Sequence, residues 1–174
     1  MNHHTNPVDI FQTKAFRQGI SFGVVSSAMT VLGISLGVWS SGEHLRAIVS
    51  SVVGLSISNS LADAFSMYMS DTATGQSKNA MTSAIVTAII ESILPFLFLI
   101  PFLTMKLKNA VIVNAIIGII LVAITGVYVS KLNKVLDKKM VENVSLYVAI
   151  TCLIMGLTYT AGMIINKIIK DRGV

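Results

Sequence analysis

One cysteine, Cys152, and three prolines, Pro7, Pro95 and Pro101, are all that 174 residues contain of either type. A lone cysteine excludes an intramolecular disulfide and removes the paired-thiolate patterns of zinc ribbons and redox motifs. Any bound metal must therefore be held by oxygen, nitrogen or thioether. Charge is equally scarce, at 12% of the chain, with eight acidic residues against thirteen lysines and arginines. No Ser-His-Asp set, His-Glu-x-x-His or phosphate-cradling glycine loop stands at a suitable place, so an enzyme is not expected. The net charge of +5 is carried by basic residues that bracket apolar runs. That distribution suits anionic lipid headgroups and argues against nucleic acid as a partner.

What the chain has in abundance is apolar length. A hydrophobic content of 53% and a mean hydropathy of +0.77 exclude an ordinary soluble domain. Five runs, about 19–40, 46–70, 80–103, 109–130 and 143–166, each reach the ~20 residues that a ~30 Å hydrocarbon layer requires. The expected fold is an all-α integral membrane protein of five transmembrane helices over 19–166. Before it stands a tail, 1–18, with an interfacial helix starting near Val8; after it comes a basic tail, 167–174. The first run continues past any small-residue cleavage site and is expected to be retained as a span. His3 and His4 lie in a polar tail and His44 in the turn SGEHLR, settings that favour solvated side chains over ligands.

Orientation follows from the loops. With the N-terminus inside, seven basic residues face the cytoplasm (Lys14, Arg17, Lys78, Lys131, Lys134, Lys138 and Lys139) and six face out. The four-lysine cluster between spans four and five favours a cytoplasmic N-terminus.

The first span carries small residues at 19, 23, 26, 30, 33 and 37 (Gly, Gly, Ser, Thr, Gly, Gly), a spacing that builds a close-packing seam. Such a seam serves either packing against another span of the same chain or contact with the same helix of a second subunit. Span four, with Asn109, Asn114, Gly118 and Gly126, offers packing contacts and no chemistry. The sulfur-bearing stripe of span five, Cys152, Met155 and Met163 with Tyr159, is expected to fill the core.

The second span is the most informative. Residues 54–71, GLSISNSLADAFSMYMSD, can cross a bilayer yet carry Asp63 in the middle. At 100° per residue Ser56, Asn59, Asp63, Ser66, Met67 and Ser70 share one face, and Ile57, Leu61, Phe65 and Tyr68 the other. A carboxylate at membrane depth costs several kcal/mol, on the order of 3 or more, so it should face a protein interior or aqueous cavity and mark an ion or proton path. Met67, one turn on, adds a soft thioether to a hard oxygen, a mixture suited to a transition-metal ion. In span three, Ala80, Ala84, Thr87, Glu91 and Pro95 share a face. Pro95 deprives the Glu91 carbonyl of its helix donor and bends the chain there.

These features together resemble the vacuolar iron transporter family, over most of the membrane core. The likeness rests on the glycine-framed first span (Gly19, Gly23, Gly33), on Leu61, Ala62, Ser66 and Met67 in the run LADAFSM, and on Pro95 with the apolar run after it. The resemblance implies a homodimer with first helices at the two-fold axis and the path between them. It also implies Fe²⁺ or Mn²⁺ as transported ion without a tightly bound cofactor, Met67 as pore methionine, and proton coupling. Asp71 lies near the family's glutamate after that motif. The candidate metal residues are thus Asp63, Met67, Glu91 and Asp71. The chain departs from the family in two ways. Phe22 stands where the family has an aspartate on the first helix, and a connector of about eight residues, 71–78, replaces the carboxylate-rich cytoplasmic metal-binding domain of longer members. The expected function is divalent metal transport for metal homeostasis in a prokaryotic cytoplasmic membrane. The alternative is a non-transporting membrane-embedded binding, sensing or scaffold relative that kept the fold and lost the acid.

Overall fold

A computed structural model describes residues 13–42 and 44–172. It contains five helices among the described residues: α1 Lys14–Ser40, α2 Leu45–Ala73, α3 Ser77–Thr104, α4 Leu107–Leu132 and α5 Asp137–Asp171. All five are long and apolar enough to cross a membrane. The runs expected from the sequence fall inside them, and each helix extends beyond its run by polar residues. Lys14 and Arg17 therefore belong to the first turns of α1, and Lys167 and Lys170 to the last turns of α5, so neither flanking segment is wholly a tail. Val8, His3 and His4 lie outside the described residues.

The helices begin and stop for local reasons. Thr13 caps α1, its Oγ1 accepting from the Phe16 N–H at 3.2 Å. After α1 the chain reverses through Gly42, whose φ of +88° would strain any residue with a Cβ. After α2 it reverses through Gly75, at φ +77°. The connector between α2 and α3 is only residues 74–76, so Asp71, expected in the loop, sits in the last turn of α2.

Short connectors make successive helices antiparallel. One end of the bundle gathers the start of α1 and the turns 74–76 and 133–136; the other gathers residues 41–44, 105–106 and the end of α5. α1 is central and touches the other four helices, α2 lies chiefly along α3, and α5 is peripheral, resting on α1 and α4.

The exterior is apolar in a way water would not tolerate. Ile112, Ile116, Ile120 and Ile124 form one stripe on α4, each 48–60% exposed, and Ile57, Leu61 and Phe65 do the same on α2. Contiguous patches of this kind on a chain with buried acids belong in hydrocarbon. The stripe on α5 falls partly on this outside: Cys152 and Met163 are exposed, and Met155 alone packs against the core. The expectation of a sulfur-filled core is corrected, because α5 buries only a narrow edge.

Buried apolar side chains concentrate toward the 41–44 end, where Val31, Leu32, Leu36, Ile48, Val52, Phe98 and Phe102 pack together. Small residues of α1 allow it. Gly19 lies against α3, where an added Cβ would stand 2.7 Å from the Ser83 carbonyl oxygen; Gly23 meets Ile90. Gly33 and Gly37 face Thr158 of α5, and Leu32 fills the space over Gly118 of α4. The glycines of the first-span seam thus pack against α3 and α5 of the same chain, while its Ser26 and Thr30 bond to α2.

Gly162→Ala should separate α1 from α5, since its Cβ would overlap the Gly37 carbonyl and the Ser40 hydroxyl. The expected loss is about 1–3 kcal/mol, read as a lowered midpoint of thermal unfolding in lipid nanodiscs. Gly156→Ala, with nothing near its Cβ, should leave the midpoint unchanged or raised.

Candidate functional site

Polar residues gather in the half of the bundle opposite the apolar cluster. On α2 the inward face is Ser56, Ser60, Met67 and Asp71, all buried, with Asn59 and Asp63 half-buried. The expected face is right for Ser56, Asn59, Asp63 and Met67, whereas Ser66 and Ser70 are exposed. Asp71 and Ser60 take the inward positions because α2 lies along α3, which turns the buried strip toward Ser83 and Thr87. The expected apolar face, Ile57, Leu61, Phe65 and Tyr68, is exposed. Of the four LADAFSM residues singled out from the sequence, only Met67 points in.

Asp63 receives a 2.7 Å hydrogen bond from the Ser26 hydroxyl of α1. One turn deeper, Asn59 Nδ2 donates to Thr30 Oγ1 at 3.3 Å. Glu91 of α3, buried on the expected face with Ala80, Ala84, Thr87 and Pro95, lies within interaction range of Ser26 and Asp63. Neither of its carboxylate oxygens has a hydrogen-bond partner. Asp63 and Glu91 are therefore brought together from two helices, with Ser26 between them.

Asp71 is arranged differently. It is 3% exposed, its Oδ1 accepts from Gln18 Nε2 at 3.1 Å, and its Oδ2 accepts from the Ser83 hydroxyl. Gln18 Nε2 also lies 3.4 Å from the Met67 sulfur. With both oxygens engaged, Asp71 ties α2 to α1 and α3 and presents no free oxygen to a cleft. Among the described residues, no three of His, Cys, Asp and Glu lie close enough to hold a metal ion together. Asp63, Glu91 and Asp71 thus succeed one another along α2 and α3 without forming one centre.

Asp63 and Met67 line a cleft of about 1060 Å³ between α1, α2, α4 and α5. Lys14, Arg17, Gln18 and Asn133 line its part nearest the start of α1, and Phe22, Val25, Met29, Val122 and Ile150 supply apolar wall. The cleft stops where the apolar cluster begins. An ion entering from the 133–136 end would reach the Asp63 carboxylate and the Met67 thioether without crossing the packed core.

Three participants were not expected from the sequence. Ser26 reads as a small packing residue, Gln18 as part of a polar flank, and Ser83 carries no local signal. Each acquires meaning only from a partner on another helix. His44 is exposed at the start of α2, as expected of a solvated turn. Asn114, placed among packing residues, donates from Nδ2 to the Phe98 carbonyl at 2.9 Å and joins α4 to α3. The chain matches no family model, no curated protein and no solved structure.

Asp71→Ala should strand Gln18 and Ser83 in the bundle and cost about 1–2 kcal/mol, measured by thermal unfolding in nanodiscs. Asp63→Ala, which frees only the Ser26 hydroxyl beside an open cleft, should cost less than Asp71→Ala on the same measurement.

Proposed function

We propose that this chain transports divalent transition-metal ions, Fe²⁺ or Mn²⁺, across a membrane. The observation that carries the reading is Asp63: a half-buried carboxylate within a span, held by one hydroxyl, facing a cleft that also holds a thioether one helical turn away. Such a group is expensive to keep in an apolar bundle and is retained where ions or protons pass. The cation would exchange water for carboxylate oxygen and the Met67 sulfur. Release would follow protonation of the acid, which removes the ligand charge. One carboxylate and a thioether provide weak, exchangeable binding, as passage requires. Asp71 serves this reading as the clamp that holds Met67 and Gln18 in place.

In this reading the chain is a short relative of the vacuolar iron transporter family, set in a prokaryotic cytoplasmic membrane. The cleft opens at the end carrying Lys14, Arg17, Lys131, Lys134, Lys138 and Lys139, which is the cytoplasmic end by the distribution of basic residues. Since the glycine seam is used internally, a homodimer would meet on the free strip of α1 that lines the cleft, Phe22, Val25 and Met29. Two clefts would then face one another across the axis. Phe22 on that wall favours the second reading, a membrane-embedded binding or sensing protein that no longer transports.

Metal flux into proteoliposomes separates the two. Transport predicts Fe²⁺ or Mn²⁺ uptake above empty vesicles and loss of that uptake in Asp63→Asn. Met67→Ala should weaken Fe²⁺ transport more than Mn²⁺ transport, because the thioether favours the later metal of the series. A folded protein without flux in either metal leaves the binding or sensing reading. For the orientation and the dimer, Phe22→Cys in a Cys152→Ala background should cross-link two subunits. Lys134→Cys in the same background should react with an impermeant maleimide only from the cytoplasmic side.

A further inference from the structure

Behind Asp63 lies a second, smaller space. It is a hollow between α1, α2 and α3, with room for about one water molecule, bordered by Ser26, Ser27, Thr30, Ser56, Asn59, Glu91 and Pro95. Three oxygens on its wall have no partner: both carboxylate oxygens of Glu91, which is 2% exposed, and the hydroxyl of Ser27, 4% exposed. Buried polar atoms at membrane depth are costly when left unpaired, so three of them around one water-sized hollow point to an occupant.

The chemistry of the wall says which kind. The Ser26 hydroxyl proton is given to Asp63, and that of Ser56 to the Val52 carbonyl at 2.5 Å. The Asn59 amide donates to Thr30 Oγ1. Those donors are committed elsewhere, so the Ser26 and Ser56 oxygens can act only as acceptors toward the hollow, while Ser27 and Thr30 keep their hydroxyl protons. Pro95, also on the wall, has no N–H, so the Glu91 carbonyl lacks its i+4 helix donor. A wall of hydroxyls, one amide and one carboxylate, without lysine, arginine or histidine and without sulfur, suits a hard monovalent cation and not a soft divalent one.

We propose that this hollow is a binding site for a dehydrated alkali cation, Na⁺ or K⁺, with the Glu91 carboxylate as its charged ligand and Ser27 as a neutral one. Ser26 borders both the hollow and the cleft, so the cation sits one hydroxyl from Asp63. An ion in the hollow would orient Ser26 and through it the carboxylate in the cleft. The site does not depend on the transport reading.

The test is thermal unfolding of the purified protein in nanodiscs, in NaCl, KCl or N-methyl-D-glucamine chloride at equal ionic strength and pH. Na⁺ or K⁺ should raise the midpoint saturably over N-methyl-D-glucamine, as any ligand specific to the folded state does. Glu91→Gln should abolish that rise while unfolding in N-methyl-D-glucamine at or above the wild-type midpoint. Ser27→Ala should shift the saturation to about tenfold higher ion concentration, the direct loss of one ligand. Equilibrium binding of ²²Na⁺ or ⁸⁶Rb⁺ gives a second readout, with Ser27→Ala as its variant if Glu91→Gln does not fold. Equal midpoints in the three salts, or an undiminished rise in Glu91→Gln, overturn the site and leave a water in the hollow. Displacement of the bound alkali ion by stoichiometric Mn²⁺ also overturns it, by assigning the hollow to the transition-metal path. Loss of flux in Asp63→Asn with no alkali effect would sink this site and spare the transport reading.

Discussion

The cost of holding carboxylates inside a bundle surrounded by hydrocarbon is the constraint on which the structure depends. Asp63, Asp71 and Glu91 cannot face lipid, and each is handled differently. Asp71 is paired on both oxygens by Gln18 and Ser83. Asp63 is paired once and open to a cleft. Glu91 is enclosed with neither oxygen paired. The three form a gradient from doubly paired clamp to cleft-facing carboxylate to enclosed, unpaired acid. All three need α1 beside them, because Gln18 and Ser26 are its contributions and the small residues at Gly19 and Gly23 let α3 come close.

That constraint divides the bundle. Toward the 41–44 end, Leu32, Ile48, Val52, Phe98 and Phe102 pack into an apolar core, and dispersion contacts hold the helices. Toward the 133–136 end, hydrogen bonds between side chains take over and the helices part into a cleft. The bundle is closed at one end and open at the other, with Asp63 and Glu91 near the boundary and Asp71 at the open end. α1, which touches every other helix, joins the two halves.

Much of the architecture was legible beforehand. Five apolar runs became five helices, since a spanning segment needs all its backbone hydrogen bonds met within itself, and length with composition suffices to find it. The inward turn of Asp63 and Met67 and the shared face of Glu91 and Pro95 also follow from helical period. Ser66 and Ser70 show the limit of that method. Period places residues relative to one another, and only the neighbouring helix decides which part of a polar face is buried. The sulfur stripe of α5 misled for a related reason: a membrane helix can be apolar all round, so apolar side chains do not reveal the inside.

By itself, the sequence determined the class of molecule, the number of its helices and the apolar middle of each, and the presence of acids that require shelter, because these depend on local composition and on the thickness of a bilayer. Only the tertiary structure decided that the glycine seam of α1 is spent within the chain, that Asp71 is a clamp, and that Glu91 and Ser27 border one hollow with their oxygens unpaired. Those facts are relations between side chains on different helices. They depend on how closely two backbones approach, and small residues permit a close approach without naming the partner.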